Sequence, residues 1–314
     1  MLSRTPPISP PRLLEGFWPS ARIVGLWPGV KAFGGMTVLA HRTDLIDTID
    51  RLGPLEVRFA RNAAEVREAQ RIRYQVFYRE GNARADIATM LVRRDVDAFD
   101  SICDHLLVID NAAGGNGLAR HPAVVGTYRL LRQEVAARHG GFYSIGEFDV
   151  GALIQRHLGL RFMELGRSCV LPPYRNKRTL ELLWHGIGAY ASQHQPDVMI
   201  GCASLDGTDP DRLALQLSFL HHHARAPEPW RAHALAHRHV EMNRMPKDAI
   251  DPRAALRELP PLIKAYLRVG AYIGEGAVID HQFGTTDVLI VLRMAMVKQR
   301  YASHFGIAGA AVPA

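Results

Sequence analysis

A strand, a cationic turn, a helix and a second strand follow one another along residues 162–205, and this order constrains the fold more than any other segment. Apolar runs predict the two strands over 162–171 and 198–205, and apolar residues at helical spacing predict the helix over 179–194. A crossover helix between two strands allows them to run parallel in one sheet. The chain is therefore expected to have an α/β fold.

The same alternation of strand and helix patterns continues on both sides of this unit. Further strands are predicted over 55–60, 105–109, 123–131 and 288–297, and further helices over 63–80 and 260–267. The sequence has no internal repeat and no linker long enough to separate a second domain. Residues 51–314 are therefore interpreted as one domain with a C-terminal elaboration from about residue 206.

Residues 1–50 differ in composition from the rest of the chain. Prolines interrupt any long helix there, and aromatic residues alternate with arginines. This Pro-rich, basic and aromatic N-terminal extension would lie at an anionic membrane interface, where aromatic rings settle at the level of the headgroups, or would drape over the core as a flexible segment. Both interpretations remain open.

The net charge, the cysteine count and the lengths of the apolar stretches indicate the cellular compartment of the protein and the kinds of partner it binds. The net charge of +7 over 314 residues favours an acidic partner, which would be nucleic acid, an anionic membrane or an acidic carrier protein. The three cysteines, Cys103, Cys169 and Cys202, form no C-x-x-C pair, so neither a disulfide framework nor a structural zinc site is indicated. A reducing cytosolic compartment fits best. No apolar stretch approaches the roughly 20 residues that cross a bilayer, so the chain is not expected to span one.

The turn before the central helix is rich in cations. Backbone N–H groups at a helix N-terminus lack partners within the helix and lie at the positive end of its dipole, so they bind phosphate readily. We therefore expect a donor that carries a phosphate. The residues predicted to bind this phosphate are Arg175, Asn176, Lys177, Arg178 and Thr179.

Asp97, Asp100 and Arg129 lie at positions where a charged side chain needs a partner of opposite charge. Asp97 and Asp100 are three residues apart and repel each other unless a cation joins them. That cation would be Arg73, Arg129 or a substrate, and a solvated acidic loop is the alternative. Arg129 lies inside an apolar strand, where a guanidinium is costly without a carboxylate partner.

Several spaced motifs resemble those of the N-acylhomoserine lactone synthases. They are Arg73-x-x-x-Phe77, Asp97-x-x-Asp100, Gly126-Thr127-Tyr128-Arg129-Leu130-Leu131 and Glu164-Leu165-Gly166-Arg167. The resemblance implies a GCN5-related N-acyltransferase-like fold, a mixed sheet flanked by helices with a C-terminal elaboration. Residues 51–314 would then be an acyltransferase domain.

A closer resemblance covers nearly the whole chain after residue 55 and is to the ornithine acyl-carrier-protein N-acyltransferases. The motifs that carry it lie at 147–149, 165–170 with 174–176, 201–204, 265–271 and 284–288. It implies transfer of a 3-hydroxyacyl group from acyl carrier protein to the α-amine of L-ornithine, which gives lyso-ornithine lipid. The donor would be the phosphopantetheine thioester of the carrier, with no bound cofactor and no metal.

The resemblance also implies roles for individual residues. Glu164, or Glu147 as second candidate, would act as the base that deprotonates the α-ammonium for direct aminolysis of the thioester. Arg167 would organise the cleft, and a backbone N–H within 167–170 would polarise the thioester carbonyl. The predicted substrate-binding residues are Arg73, Phe77, Asp97, Asp100 and Arg129.

The run 175–180 departs from the pattern of the acetyltransferase fold, because it has no glycine where that fold carries a glycine-containing pyrophosphate loop. Side chains at Lys177 and Arg178 would crowd the close backbone approach that glycine permits. This favours the single phosphate of phosphopantetheine on a carrier protein over coenzyme A.

The enzyme is expected in the cytoplasm, peripheral at the inner face of the cytoplasmic membrane, without a nucleic-acid partner. Four alternatives stay open. The acceptor would be another amine, or Cys169 or Cys202 would carry the acyl group covalently. His233 and His237, four apart, would ligate a metal on a helix. A non-enzymatic protein that binds membrane surfaces is the fourth.

Overall fold

The computed structural model describes residues 48–113 and 122–297, and the strands within them form one sheet. The strands are β1 (Asp50–Leu52), β2 (Leu55–Phe59), β3 (Asp104–Asp110), β4 (Ala123–Arg132), β5 (Phe162–Val170), β6 (Val198–Asp206), β7 (His239–Val240), β8 (Tyr272–Ile273), β9 (Ala277–Asp280) and β10 (Thr285–Arg293). Their order across the sheet is β1-β2-β3-β4-β5-β6-β10-β9-β7, and β8 also pairs with β10.

Helices connect these strands and cover both faces of the sheet. They are α1 (Ala63–Tyr74), α2 (Ile87–Val92), α3 (Gln133–Ala136), α4 (Val150–Arg156), α5 (Lys177–His194), α6 (Ala214–Ala224), α7 (Pro252–Glu258) and α8 (Pro261–Val269). A π-helical segment, Gln75–Glu80, extends α1. Asn62 caps α1 and Asn176 caps α5, each through its side-chain oxygen.

The two principal helices pack on opposite faces of the sheet. Leu106 and Val108 of β3 belong to the large apolar core that includes Trp184 of α5. The intervening residue Leu107 packs instead with Ala69 of α1. This division follows from the alternation of side chains along a strand. The result is a sheet between helices, with the largest core on the side of α5.

β5 and β6 run parallel for a short distance and then diverge. Three residue pairs join them, from Phe162 with Val198 to Glu164 with Ile200. The crossover through α5 confirms the predicted parallel pair. A Cβ at Gly201, the next residue of β6, would lie 2.2 Å from a backbone carbonyl oxygen of β5, so the close approach requires glycine. β6 is paired with β10 along its whole length on the other side.

The predicted elements are largely confirmed, with one clear difference. The strand predicted over 288–297 begins three residues earlier, at Thr285, and ends at Arg293. Its polar start hid the first part of the strand, and Met294–Met296 forms a 3₁₀ turn. Nearly all of the predicted N-terminal extension, 1–50, lies outside the described residues, and its role stays a prediction.

Candidate active site

A β-bulge distorts β5 just beyond its divergence from β6. Between the pairs Thr127–Cys169 and Arg129–Gly166, β5 has one residue more than β4. Arg167, within the bulge, has a φ of 52°, in the left-handed region that residues with a Cβ seldom adopt. Strained backbone of this kind concentrates at functional sites, so the bulge marks the candidate site.

Three buried arginines and three aspartates, of which Asp95 and Asp100 are buried and Asp97 is partly buried, form an ion-pair network beside the bulge. At its centre lies Arg73, whose side chain is fully buried. Its Nε donates to Asp95 Oδ2 at 2.8 Å, and its two Nη atoms donate to the two carboxylate oxygens of Asp100 at 2.7 and 2.8 Å. This fork-shaped pairing fixes both groups.

Arg129 and Arg167 complete the network through Asp97. Arg129 Nη1 donates to Asp97 Oδ1 at 2.6 Å and to Asp100 Oδ1 at 3.0 Å. Arg167 Nη2 donates to Asp97 Oδ2 at 3.1 Å. With Arg73 and Asp95 included, three guanidinium groups face three carboxylates, and the formal charges cancel.

The electrostatics keep this network ionised at neutral pH. Burial alone would raise the pKa of Asp100, but the guanidinium groups of Arg73 and Arg129 hold it well below its usual range. Burial opposes the charge of Arg129 as well, yet Asp97 raises its pKa well above the ordinary value. Of the roles that the sequence left open for the aspartate pair, the structure shows the pairing with arginines.

Glu164, the predicted base, is the last residue of β5 that pairs with β6, and it is buried. Its carboxylate accepts hydrogen bonds from the backbone N–H groups of Tyr143 at 2.8 Å and Ser144 at 2.9 Å. Burial outweighs these bonds and raises the pKa of Glu164 from 4.5 to about 7. A carboxyl that titrates near neutral pH is suited to general base catalysis.

Glu147, the second predicted base, is also buried, at the end of the 3₁₀ turn Tyr143–Gly146. Burial raises its pKa to about 7. Its neighbours are the Cys202 thiol and the Arg238 guanidinium, whose Nη2 lies 3.6 Å from Glu147 Oε1. Two carboxyls with similar perturbed pKa values therefore lie in one region of the protein.

The predicted phosphate-binding turn is in place at the start of α5, but its charges are partly neutralised. Arg175 donates to the Val170 carbonyl oxygen at 2.9 Å and to Glu80 at 2.7 Å. Asn176 accepts from the N–H of Thr179 at 3.2 Å, which occupies one of the free donors of the helix.

The next two residues, Lys177 and Arg178, are exposed. Lys177 pairs with Glu181 at 3.3 Å. Among the described residues no ion pair of Arg178 is found. Arg178 is thus the cation of the turn most available to a phosphate.

Phe77 is fully buried beneath the arginine network. Its ring meets that of Phe283 edge to face at 6.1 Å between centroids. The Phe283 ring in turn lies 4.7 Å from the Arg167 guanidinium carbon. Phe77 therefore supports the wall of the site, and contact with a substrate stays a prediction.

Several site residues escaped sequence reasoning. Asp95 was hidden in an acidic run, and the amides of Tyr143 and Ser144 carry no side-chain signature. Asp280 and Asp287 lie beside Glu147, and one carboxylate oxygen of each of the three lies within 4.8 Å of the others. An aspartate at the start of an apolar strand, as Asp287 is, was the available signal.

Two alternatives from the sequence lose support. Burial raises the pKa of Cys169 to about 12 and that of Cys202 well above its ordinary value, so neither thiolate forms readily. His233 and His237 are not on a helix, because His233 lies in an isolated β-bridge and His237 in a turn. The alternative of a metal-binding histidine pair on a helix is therefore not supported.

The chain is similar to known protein families. The model of the acetyltransferase (GNAT) domain family matches residues 72–185, across the arginine network, the bulge and the turn. Fold, site and family model together define an acyltransferase of the GNAT fold, as predicted.

Curated relatives narrow the assignment. The L-ornithine N(alpha)-acyltransferase of Agrobacterium fabrum is 54% identical over 256 residues, 82% of this chain and 86% of the relative. That of Rhizobium meliloti is 52% identical over 260 residues, covering 83% and 87%. The chain belongs to the L-ornithine N(alpha)-acyltransferase family.

Among solved structures, an N-acyl amino acid synthase from uncultured soil microbes aligns over 76% of this chain and 91% of its own, with 10% identity and a TM-score of 0.40.

Within residues 48–113 and 122–297, no helix combines the length and the apolar character needed to cross a membrane.

Proposed function

We propose that this enzyme transfers a 3-hydroxyacyl group from the phosphopantetheine thioester of acyl carrier protein to the α-amine of L-ornithine, which yields lyso-ornithine lipid. Membership of the family supports the acceptor. The observation that carries the chemistry is Glu164, a buried carboxyl with a pKa of about 7 next to the bulge in β5.

The proposed reaction is direct aminolysis. Glu164 takes a proton from the α-ammonium of the acceptor, and the freed nitrogen attacks the thioester carbonyl carbon. A C–N bond forms and the C–S bond breaks, and the phosphopantetheine sulfur leaves as a thiol with the proton that the attacking nitrogen loses as it becomes the amide.

The negative charge that develops on the thioester carbonyl oxygen needs a hydrogen-bond donor to stabilise it. β5 is not paired with β6 beyond Glu164, and the bulge removes it locally from the ladder with β4. Backbone N–H groups within 167–170 are therefore suited to stabilise the oxyanion.

The carrier protein as donor draws support from charge and from the turn. The net charge of +7 favours an acidic carrier, and Arg178 offers an exposed cation at the start of α5. The lack of glycine over 175–180 disfavours the close pyrophosphate contact of coenzyme A.

A peripheral location at the inner face of the cytoplasmic membrane would suit an amphiphilic product. α2 supports this part of the proposal, because its large apolar side chains are exposed, with Leu91 at 78% and Ile87 at 73%. Arg93 and Arg94 follow directly and would meet anionic headgroups. Flotation with anionic vesicles tests it, and no difference from neutral vesicles would contradict it.

The proposed activity is tested with purified enzyme, 3-hydroxyacyl carrier protein and L-ornithine. Free thiol should be released only when ornithine is present, and mass spectrometry should find the N-acyl amino acid. The 3-hydroxyacyl coenzyme A thioester serves as the matched donor and is expected to react more slowly. Thiol release that does not depend on ornithine would refute the proposal.

A further inference from the structure

Glu147, Asp280 and Asp287 form a second acidic group, separate from the arginine network. They come from different parts of the C-terminal half and from the 3₁₀ turn after α3, and each is at most 1% exposed. One carboxylate oxygen of each lies within 4.8 Å of one oxygen of the other two. The fold thus brings three buried carboxylates to one point.

Each aspartate of this group uses one oxygen for hydrogen bonds to residues two or three positions away in the chain. Asp280 Oδ1 accepts from the N–H groups of Gln282 and Phe283 at 2.8 and 3.0 Å. Asp287 Oδ1 accepts from the Thr285 hydroxyl at 3.0 Å. The Oδ2 atoms of both aspartates are buried without a hydrogen-bond partner at normal distance, and the Ser204 hydroxyl lies near Asp287 and acts to lower its pKa, against the larger effect of burial.

Glu147 lies beside the Cys202 thiol, a weak hydrogen-bond donor that lowers its pKa against the larger effect of burial. Among the described residues, neither of its oxygens accepts a hydrogen bond from an N–H or O–H group. The one ion pair found for the three carboxylates in the described ranges is that of Glu147 with Arg238, at 3.6 Å. Three carboxyl groups therefore share one guanidinium within ion-pair distance, and Arg167 acts on Asp280 from further away, whereas the arginine network is balanced.

The surplus of acidic groups over cations at this point goes together with raised pKa values. Burial, followed by repulsion from Glu147 and Asp280, raises the pKa of Asp287 well above its ordinary value. Burial raises that of Asp280 as well. Buried carboxyl groups are costly to ionise without a partner, and a cationic ligand would stabilise their charged forms.

Arg167 provides an independent observation beside this group. Its guanidinium is 3% exposed, and Nη1 has no hydrogen-bond partner. It lies against the ring of Phe283, three residues from Asp280, and its charge lowers the pKa of Asp280. A buried, unpaired N–H donor next to unpaired carboxylates matches a ligand that carries both a carboxylate and an ammonium.

We infer that Glu147, Asp280 and Asp287 bind the side-chain ammonium of the acceptor amino acid, while Arg167 Nη1 is available to its carboxylate. This inference rests on the proposed function and names the group that recognises the acceptor. An ammonium has three N–H donors, and a tetrahedral nitrogen at about 2.8 Å from three acceptors holds them about 4.6 Å apart. The spacing of the three carboxylates accommodates this arrangement.

The reactive α-ammonium is less suited to this position. Three carboxylates stabilise the charged form of a bound amine and raise its pKa. That would hinder the deprotonation that attack on the thioester requires. A divalent metal is also less suited, because Arg238 already lies 3.6 Å from Glu147 and would repel a second concentrated positive charge. The permanent side-chain charge is the better occupant.

The test compares L-ornithine with L-norvaline, which has the same carbon chain without the side-chain ammonium. Wild-type enzyme with 3-hydroxyacyl carrier protein should show a kcat/KM at least about 100-fold higher for ornithine, given the strength of charge-assisted hydrogen bonds. Asp287→Asn should reduce this preference at least about tenfold, mainly through loss of ornithine turnover. Asp280→Asn is the second variant should the first fail to fold.

Asp104→Asn is the matched control, since Asp104 is a buried aspartate that bonds to Tyr190 elsewhere in the sheet. It should leave the preference unchanged. Equal rates of wild-type enzyme with both acceptors would overturn the inference and leave the proposed acyl transfer intact. Equal losses for both acceptors in Asp287→Asn would overturn it too.

A metal at the same position is a separate outcome. Stoichiometric divalent metal in the purified protein that is lost in Asp287→Asn would overturn the ammonium assignment. Absence of any acyl transfer to ornithine by wild-type enzyme would refute the proposed function itself, and the inference with it.

Discussion

Replacement of Glu164 by glutamine separates the chemistry of its carboxylate from its place in the structure. Glutamine keeps the shape of the side chain, and its carbonyl oxygen accepts one of the two N–H groups of Tyr143 and Ser144. It cannot take a proton from the α-ammonium of the acceptor. Loss of a general base costs about 10²–10⁴-fold, so kcat is expected to fall by that factor.

The same substitution changes stability with a sign that depends on pH. Burial raises the pKa of Glu164 from 4.5 to about 7. Stability from this shift is fully present below pH 4.5 and is lost as the pH rises through about 7. At about 1.36 kcal/mol per pKa unit the loss approaches roughly 3 kcal/mol. The free energy of unfolding of Glu164→Gln, relative to that of wild type, should therefore increase by about 2 to 3 kcal/mol between about pH 5 and about pH 8.

Two measurements check these expectations. Thiol release from 3-hydroxyacyl carrier protein gives kcat across this pH range, and wild-type kcat should rise through an inflection near neutral pH. Denaturant unfolding at both ends of the range gives the stability difference. Glu258→Gln, at the exposed end of α7, is the matched control. A kcat within about threefold of wild type would remove Glu164 as the base, and a stability difference that does not vary with pH would refute the raised pKa.

Three further substitutions test other parts of the site. Asp100→Asn leaves buried guanidinium groups short of a carboxylate and should lower the free energy of unfolding by about 3–5 kcal/mol, and a denaturant midpoint equal to wild type would contradict this. Gly201→Ala puts a Cβ 2.2 Å from the Leu165 carbonyl oxygen and should cost about 1–3 kcal/mol and lower kcat, whereas unchanged melting would show that β5 and β6 separate freely. Arg178→Ala should raise KM for acyl carrier protein at low salt with kcat unchanged, while the exposed Arg253→Ala should not; equal KM values would exclude Arg178 from donor binding.

The sequence pattern predicted most of the fold because the spacing of apolar residues follows from which side chains of a helix or strand face the core. β5, α5 and β6 were found from apolar spacing alone, and their parallel arrangement followed from the crossover. The start of β10 was missed, since Thr285 and Asp287 are polar and buried by tertiary contacts that no local pattern encodes. The bulge at Arg167 was missed for a similar reason. An extra residue in one strand becomes visible only when its register against the neighbouring strand is known.

Site residues divide along the same line. Glu164, Arg73, Asp100 and Arg129 were named from the sequence because they stand in motifs of fixed spacing that resemble a known family, but the ion pairing of Asp100 with both arginines was left open. The backbone donors at Tyr143 and Ser144 have no such motif, since any residue supplies an N–H. Their position depends on how the turn after α3 packs on β5.

The two groups of acidic residues differ in how far arginines neutralise their charge. Asp97 and Asp100 suggested a cation site, yet folding supplies three guanidinium groups that neutralise them together with Asp95. Asp280 and Asp287 drew no attention because they are far from Glu147 along the chain, and folding leaves this second group with one guanidinium at 3.6 Å. The balanced network stabilises the fold around the bulge. Ionisation of the second group is costly, and such groups are frequently found where a ligand or a reaction requires them.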